Sequence, residues 1–121
     1  MRKLFIDDLR DPVGDDWTVV RNSDDAIKAI YMFDWDVISL DHDIENFKWL
    51  SFTPVAHFIC EKYWIKRERE SFGVMRPLLG PKIVIHSINP AGAKKMQQLF
   101  RENGIKSEYI PYKANQTETH A

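Results

Sequence analysis

Residues 38–43 read ISLDHD, that is Ile38-Ser39-Leu40-Asp41-His42-Asp43. An apolar run breaks off into two carboxylates around an imidazole. Charge is costly to bury, so this pattern marks the point where a buried strand leaves the core. The stretch "DVISL" (36–40) predicts such a strand. Taken alone, its acidic end is open to three readings: a solvated strand end, a metal site or a nucleophile.

The same pattern recurs on either side. "KLFI" (3–6) is a short apolar strand that stops at Asp7-Asp8, and "KIVIHS" (82–87) is another that ends in His86 and Ser87. After the first of these, "LRDPVGDD" is rich in turn formers and too short for an ordinary helix. "WTVVRN" (17–22) is β-branched and predicts a second strand. Ser23 is the expected N-cap of a first helix, with Asp24 and Asp25 favourable in its first turn and Ile27, Ile30 and Tyr31 on one face. "IENFKWLSF" (44–52) reads as a loop whose Phe47, Trp49 and Phe52 either stack on a base or dock on the core.

Thr53-Pro54 gives a cap followed by Pro at the first helical position. The spacing of Val55, Phe58, Ile59 and Tyr63 predicts a helix to about Arg69, broken by "SFGVMRPLLGP" (71–81). Within it, Cys60 reads as a small buried hydrophobe, and the mixed charges of "KYWIKRERE" (62–70) read as a solvated face. Asn89-Pro90 repeats the cap-plus-Pro signal for a third helix, which turns Ala93, Met96, Leu99 and Phe100 inward, exposes Lys94 and Lys95, and stops at Gly104. "SEYIPY" (107–112) predicts a fifth strand, placed at a sheet edge by Pro111. One domain over 1–113 and a flexible polar tail over 114–121 follow.

Strands alternating with helices predict an α/β fold: a five-stranded parallel sheet covered on both faces, with the helix after the first strand missing, for which the doubly wound order 2-1-3-4-5 is the expected arrangement. The length of 121 residues fits one domain. A net charge of −1 argues against a strongly basic nucleic-acid binder. One cysteine allows no internal disulfide, no apolar run approaches the ~20 residues of a membrane span, and "MRKLFIDD" is no signal peptide, so the expectation is a reduced, cytoplasmic protein. Oligomeric state is not written in these patterns.

Ligands of such sheets bind beyond the carboxyl ends of the strands, where the strand order reverses. Asp7, Asp8, Asp41, His42, Asp43, His86 and Ser87 all fall there. Crowded carboxylates repel, and a hard cation, Mg²⁺ or Mn²⁺, relieves the conflict while leaving positions for a phosphate. Asp7, Asp8, Asp41 and Asp43 are the candidate ligands. His42 and His86 are candidate proton carriers, because imidazole titrates near neutral pH. Ser87 and Asn89, at a helix N-terminus, are candidate phosphate holders. Each has a plainer alternative: Asp7-Asp8 as a turn, Asn89 as a cap only, His86 as a hydrogen-bonded strand residue.

The order Asp7-Asp8, Asp41, Ser87, Lys113 resembles the receiver domain of two-component signalling. That resemblance implies Mg²⁺ on Asp7, Asp8 and Asp41, a phosphoryl acceptor at Asp41, and phosphoryl contacts from Ser87 and Lys113. The chain departs from that pattern in its missing helix, in Pro111 preceding Lys113, and in the extra His42, Asp43, His86 and Asn89. "LFIDDLRDP", "WTVVRN", "ISLDHDI" and "IHSINPAGAKKM" closely resemble a narrower group across residues 3–100, the cyclic-phosphate processing receiver domains of bacteria and tailed phages. This implies a receiver-like (flavodoxin-like) fold and a Mg²⁺-dependent phosphoesterase acting on a cyclic phosphate or cyclic nucleotide, in a bacterial or phage-infected cell. In that reading Asp41 binds the cation or attacks directly. The alternatives are a signalling receiver phosphorylated at Asp41 and a protein that binds a nucleotide without turning it over. The implied partner is a small phosphorylated ligand, not a membrane.

Overall fold

The computed structural model describes residues 1–44, 50–71 and 80–112, with side chains described outside 64–71. The elements are β1 (Lys3–Ile6), β2 (Trp17–Val20), α1 (Ser23–Met32), β3 (Val37–Leu40), α2 (Thr53–Ser71), β4 (Lys82–Ile85), α3 (Pro90–Glu102) and β5 (Ser107–Tyr109). The five strands form one parallel sheet of order β2-β1-β3-β4-β5. No helix joins β1 to β2; residues 7–16 make that return through Gly14 (φ 101°) and Asp16 (φ 70°), both left-handed.

That missing helix changes the layers. The connections β2–α1–β3, β3–α2–β4 and β4–α3–β5 all step the same way across the sheet. Right-handed crossovers that step one way put every helix on one face. Ala26 and Ile30 of α1, Val55 and Ile59 of α2, and Ala93, Met96 and Phe100 of α3 accordingly share one core with Leu4, Ile6, Ile38, Leu40, Ile83 and Ile85. The expectation of helices on both faces is therefore corrected. The opposite face carries Phe5, Ser39, Val84 and His86, bordered by Val13, Ile110, Pro111 and Tyr112 from the loops.

Local signals hold with small shifts. Asn22, not Ser23, caps α1, its side chain accepting from Asp25 N at 2.8 Å. Ile30 is buried but Tyr31 is 76% exposed, because the apolar stripe of α1 is narrower than its sequence suggests. The first helical bond of α2, Ala56 N to Phe52 O at 3.2 Å, makes Phe52 the residue before the helix, one earlier than a Thr53 cap requires. Phe52 itself is fully buried, which settles its place in the core; Phe47 and Trp49 lie outside the described residues. Cys60 is buried, and burial pushes its thiol up to about 11. Lys62 of α2 donates to the carbonyls of Ile30 and Phe33, closing the C-terminus of α1.

α3 begins as expected, with Asn89 as cap and Pro90 first. It ends in two bonds, Gly104 N to Arg101 O and Ile105 N to Phe100 O, with Gly104 at φ 72°. That is a Schellman closure, which needs the left-handed glycine. The second, fourth and fifth strands are shorter than the sequence windows: Asn22 turns away to cap α1, whereas His86, Ile110 and Tyr112 lie past the strand ends but keep sheet-like backbone bonds. Among the described residues no helix is long and apolar enough to cross a membrane.

Candidate functional site

The register of the sheet builds the site. Phe5 pairs with Ser39 and Ser39 with Val84; Ile6 pairs with Leu40 and Leu40 with Ile85. One step further along the same row come Asp7, Asp41 and His86. Backbone bonds continue the ladder to them: Asp41 N to Ile6 O at 3.0 Å and His86 N to Leu40 O at 3.0 Å. Side chains alternate along a strand, so all three emerge on the face without helices. One ligand atom from each lies within 4.8 Å of the others, and all three residues are buried.

His86 reaches over the row. Its Nε2 is 2.9 Å from Asp7 Oδ2, its Nδ1 is 2.8 Å from Ser39 Oγ, and its ring stacks on Phe5 at 4.3 Å between centroids. Asp7 Oδ1 accepts the backbone N–H of Leu9 (3.0 Å) and of Arg10 (2.9 Å). Burial pushes the Asp7 carboxyl up, but the His86 hydrogen bond and those two backbone donors outweigh it. The result lies below the ordinary 3.8. With Asp7 ionised, the network assigns the proton to His86 Nε2, and Nδ1 accepts from the Ser39 hydroxyl. That hydroxyl can equally accept from Nδ1, so Ser39 supports either tautomer.

Asp41 sits between them. Its Oδ1 accepts from His42 N at 2.7 Å. Burial and then the neighbouring Asp7 charge raise its pKa above the ordinary value, against the opposing pull of His86 and the backbone donors. Asp41 Oδ2 accepts from Arg10 Nη1 at 3.1 Å, and the same nitrogen is 3.8 Å from Asp7 Oδ2. The Arg10 guanidinium lies 5.3 Å from the centre of the Tyr112 ring.

The other expected residues fall around this cluster. Asp8 is not in the three-residue group; it borders a cavity of about 390 Å³ with Leu9, Asn22, Asp24, Ile44 and Leu50. Asp43 is also outside the group. Its Oδ1 accepts from His42 Nδ1 (2.7 Å) and from Asn89 Nδ2 (3.2 Å). Asn89 Oδ1 meanwhile caps α3 by accepting from Gly92 N at 3.1 Å. The His42 ring packs on Gly92 so closely that a Cβ there would stand 2.4 Å from Nδ1. Ser87 is fully buried, and its Oγ accepts from Asn89 N at 3.0 Å. Lys113 and the tail 114–121 lie outside the described residues. Lys94 and Lys95 are exposed.

Four residues of this site were not among the candidates. Arg10 stands two positions after the acidic pair, in "DDLRD", where a cation could have been matched to the carboxylates. Ser39 precedes Asp41 by two, so strand alternation places it on the same face. Tyr112 and Gly92 carry no local signal; only the tertiary contact reveals them.

Two carboxylates and an imidazole would form a donor set for a divalent ion that takes the place of the proton shared between His86 Nε2 and Asp7, and the imidazole nitrogen widens the choice from Mg²⁺ toward Mn²⁺. The crowding of Asp7 on Asp41 is the conflict a cation relieves, so the residues fit the group. Among curated proteins, none matches the chain. The family model of the cyclic-phosphate processing receiver domain matches residues 2–102, which include every strand end described above except β5. The chain belongs to the cyclic-phosphate processing receiver domain family.

Proposed function

We propose that the protein is a divalent-metal-dependent phosphoesterase that opens a cyclic phosphate, on a cyclic nucleotide or a related small molecule. The observation that carries this reading is the buried Asp7–Asp41–His86 row on the open face of the sheet. Those three residues would hold Mg²⁺ or Mn²⁺. When bound, the ion supplies polarisation of the phosphoryl oxygens and offsets charge in the transition state.

The protein's own groups do the rest. His42 is half-buried, oriented by Asp43 and by the backbone at Gly92. With Nδ1–H donated to Asp43, its Nε2 is the proton acceptor. It takes a proton as water forms the new P–O bond, and returns it to the alkoxide released when the ring P–O bond breaks. The N-terminus of α3, capped by Asn89, offers a positive end to the phosphate. The cavity beside Asp8 has the volume to take the body of a nucleotide-sized substrate.

The test is incubation with cyclic mono- and dinucleotides and with 2′,3′-cyclic phosphates, with and without Mg²⁺ or Mn²⁺. Metal-dependent ring opening that disappears in Asp41→Asn supports the reading. Retention of intact ligand favours a binding protein, and a mass gain from acetyl phosphate favours a signalling receiver; either overturns it.

A further inference from the structure

Arg10 is the one described cation that reaches both carboxylates of the row: 3.1 Å to Asp41 Oδ2 and 3.8 Å to Asp7 Oδ2. Its position is built from several directions. Its backbone N–H donates to Asp7 Oδ1, and its carbonyl accepts from Arg21 Nη1 at 2.6 Å. Arg21 also binds the Asp7 carbonyl and Asp11. Tyr112 lies beneath the guanidinium, its N–H donating to His86 O (2.9 Å) and its hydroxyl to Asp11 O (3.4 Å). The side chain is 18% exposed, so it has a way out to solvent, whereas Asp41 beneath it has none.

We infer that Arg10 is the resident cation of the acidic row, and that a divalent ion enters only by exchanging with it at Asp41. The inference rests on the metal-dependent reading above. Its physical basis is charge and space. Asp7 and Asp41 together demand positive charge, and Arg10 already supplies one unit at Asp41 Oδ2, the oxygen left open by the His42 and Asp43 N–H groups on Oδ1. A guanidinium and a divalent ion cannot share Asp41 Oδ2 without strong repulsion in a buried setting. Displaced, the guanidinium remains tethered by the fixed backbone of residue 10 at the rim, where it matches a phosphate anion. Metal uptake thus creates an anion-binding group in the same step.

Linkage requires the competition to be reciprocal. Calorimetric titration of Mn²⁺ into the full chain and into Arg10→Gln tests it. We expect Arg10→Gln to bind about tenfold more tightly, within the usual range of coupling between two ligands. The arginine Nε–Hε resonance of the wild-type protein provides a readout without substitution: the Arg10 signal shifts as Mg²⁺ is added. Equal or weaker Mn²⁺ affinity in Arg10→Gln, or a motionless Arg10 signal while Mg²⁺ binds, overturns the exchange and leaves the metal reading intact. Absence of uptake by both proteins overturns the two together.

Discussion

His86 Nε2 lies 2.9 Å from Asp7 Oδ2, reaching past Asp41 from β4 toward β1, with Asp7 fully buried and His86 5% exposed. The pair ties the two outer members of the row. His86→Ala removes the donor from an ionised, buried carboxylate and the ring that stacks on Phe5. The expected cost is about 2–4 kcal/mol in urea denaturation. A double-substitution cycle with Asp7→Asn should give a coupling of at least about 1 kcal/mol. Additive effects would mean that the contact does not hold the row.

Asp7 and Asp41 titrate in opposite senses. The pKa of Asp7 is lowered, so its contribution to stability is present above the unfolded value near 3.8 and is lost as pH falls through the lower folded value. The pKa of Asp41 is raised, so its contribution is present below 3.8 and is lost as pH rises through the higher folded value. Metal-free protein should therefore lose stability on both sides. Asp41→Asn should remove the loss on the neutral side and raise stability at neutral pH, while abolishing activity. Thermal melts from about pH 3 to about pH 8 in chelator check this; a less stable Asp41→Asn at neutral pH would contradict it.

Gly92→Ala would ordinarily strengthen a helix by about 1 kcal/mol. Here the added methyl would meet the His42 ring at 2.4 Å. The ring is part-exposed and can swing away. The expected result is a folded protein of near-native melting temperature with turnover reduced at least about tenfold, because proton transfer needs a placed base. Retained turnover would separate His42 from the chemistry.

Asn89 serves two partners at once, Gly92 N through Oδ1 and Asp43 through Nδ2. Asn89→Ala should cost about 1 kcal/mol as a lost cap. Asp is normally as good a cap as Asn, but here it would set a carboxylate against Asp43. Asn89→Asp should therefore be less stable than capping preference allows, and the deficit should shrink as pH is lowered. Equal stability of the two proteins across pH would count against the Asn89–Asp43 contact.

Much of this site was legible because the strands share a spacing. Phe-Ile-Asp7, Ser-Leu-Asp41 and Val-Ile-His86 each place a polar residue one step beyond a buried aliphatic, and parallel register turns that shared phase into a lateral row. Strand order and the missing first helix followed from the same punctuation. The bare face was implied as well: with order 2-1-3-4-5 and no first helix, all three crossovers step one way, and their right-handedness puts the helices on one side, against the general expectation of a doubly covered sheet. Tyr31 was misplaced because helical periodicity does not fix how wide a stripe the neighbouring helix covers. Arg10 went unnoticed for another reason. A surface-looking arginine in a turn gains its meaning only when Asp41, 31 residues away in the chain, arrives beside it.

The most direct measurement is Mn²⁺ binding by calorimetry to the wild-type chain and to Asp7→Asn, Asp41→Asn, Asp8→Asn and Asp43→Asn. One ion per chain is expected, lost in Asp7→Asn and Asp41→Asn and retained in Asp43→Asn, with Asp8→Asn reporting whether that carboxylate joins the row as a further ligand. Binding that ignores Asp7 and Asp41, or no binding to the wild-type chain, would contradict the account.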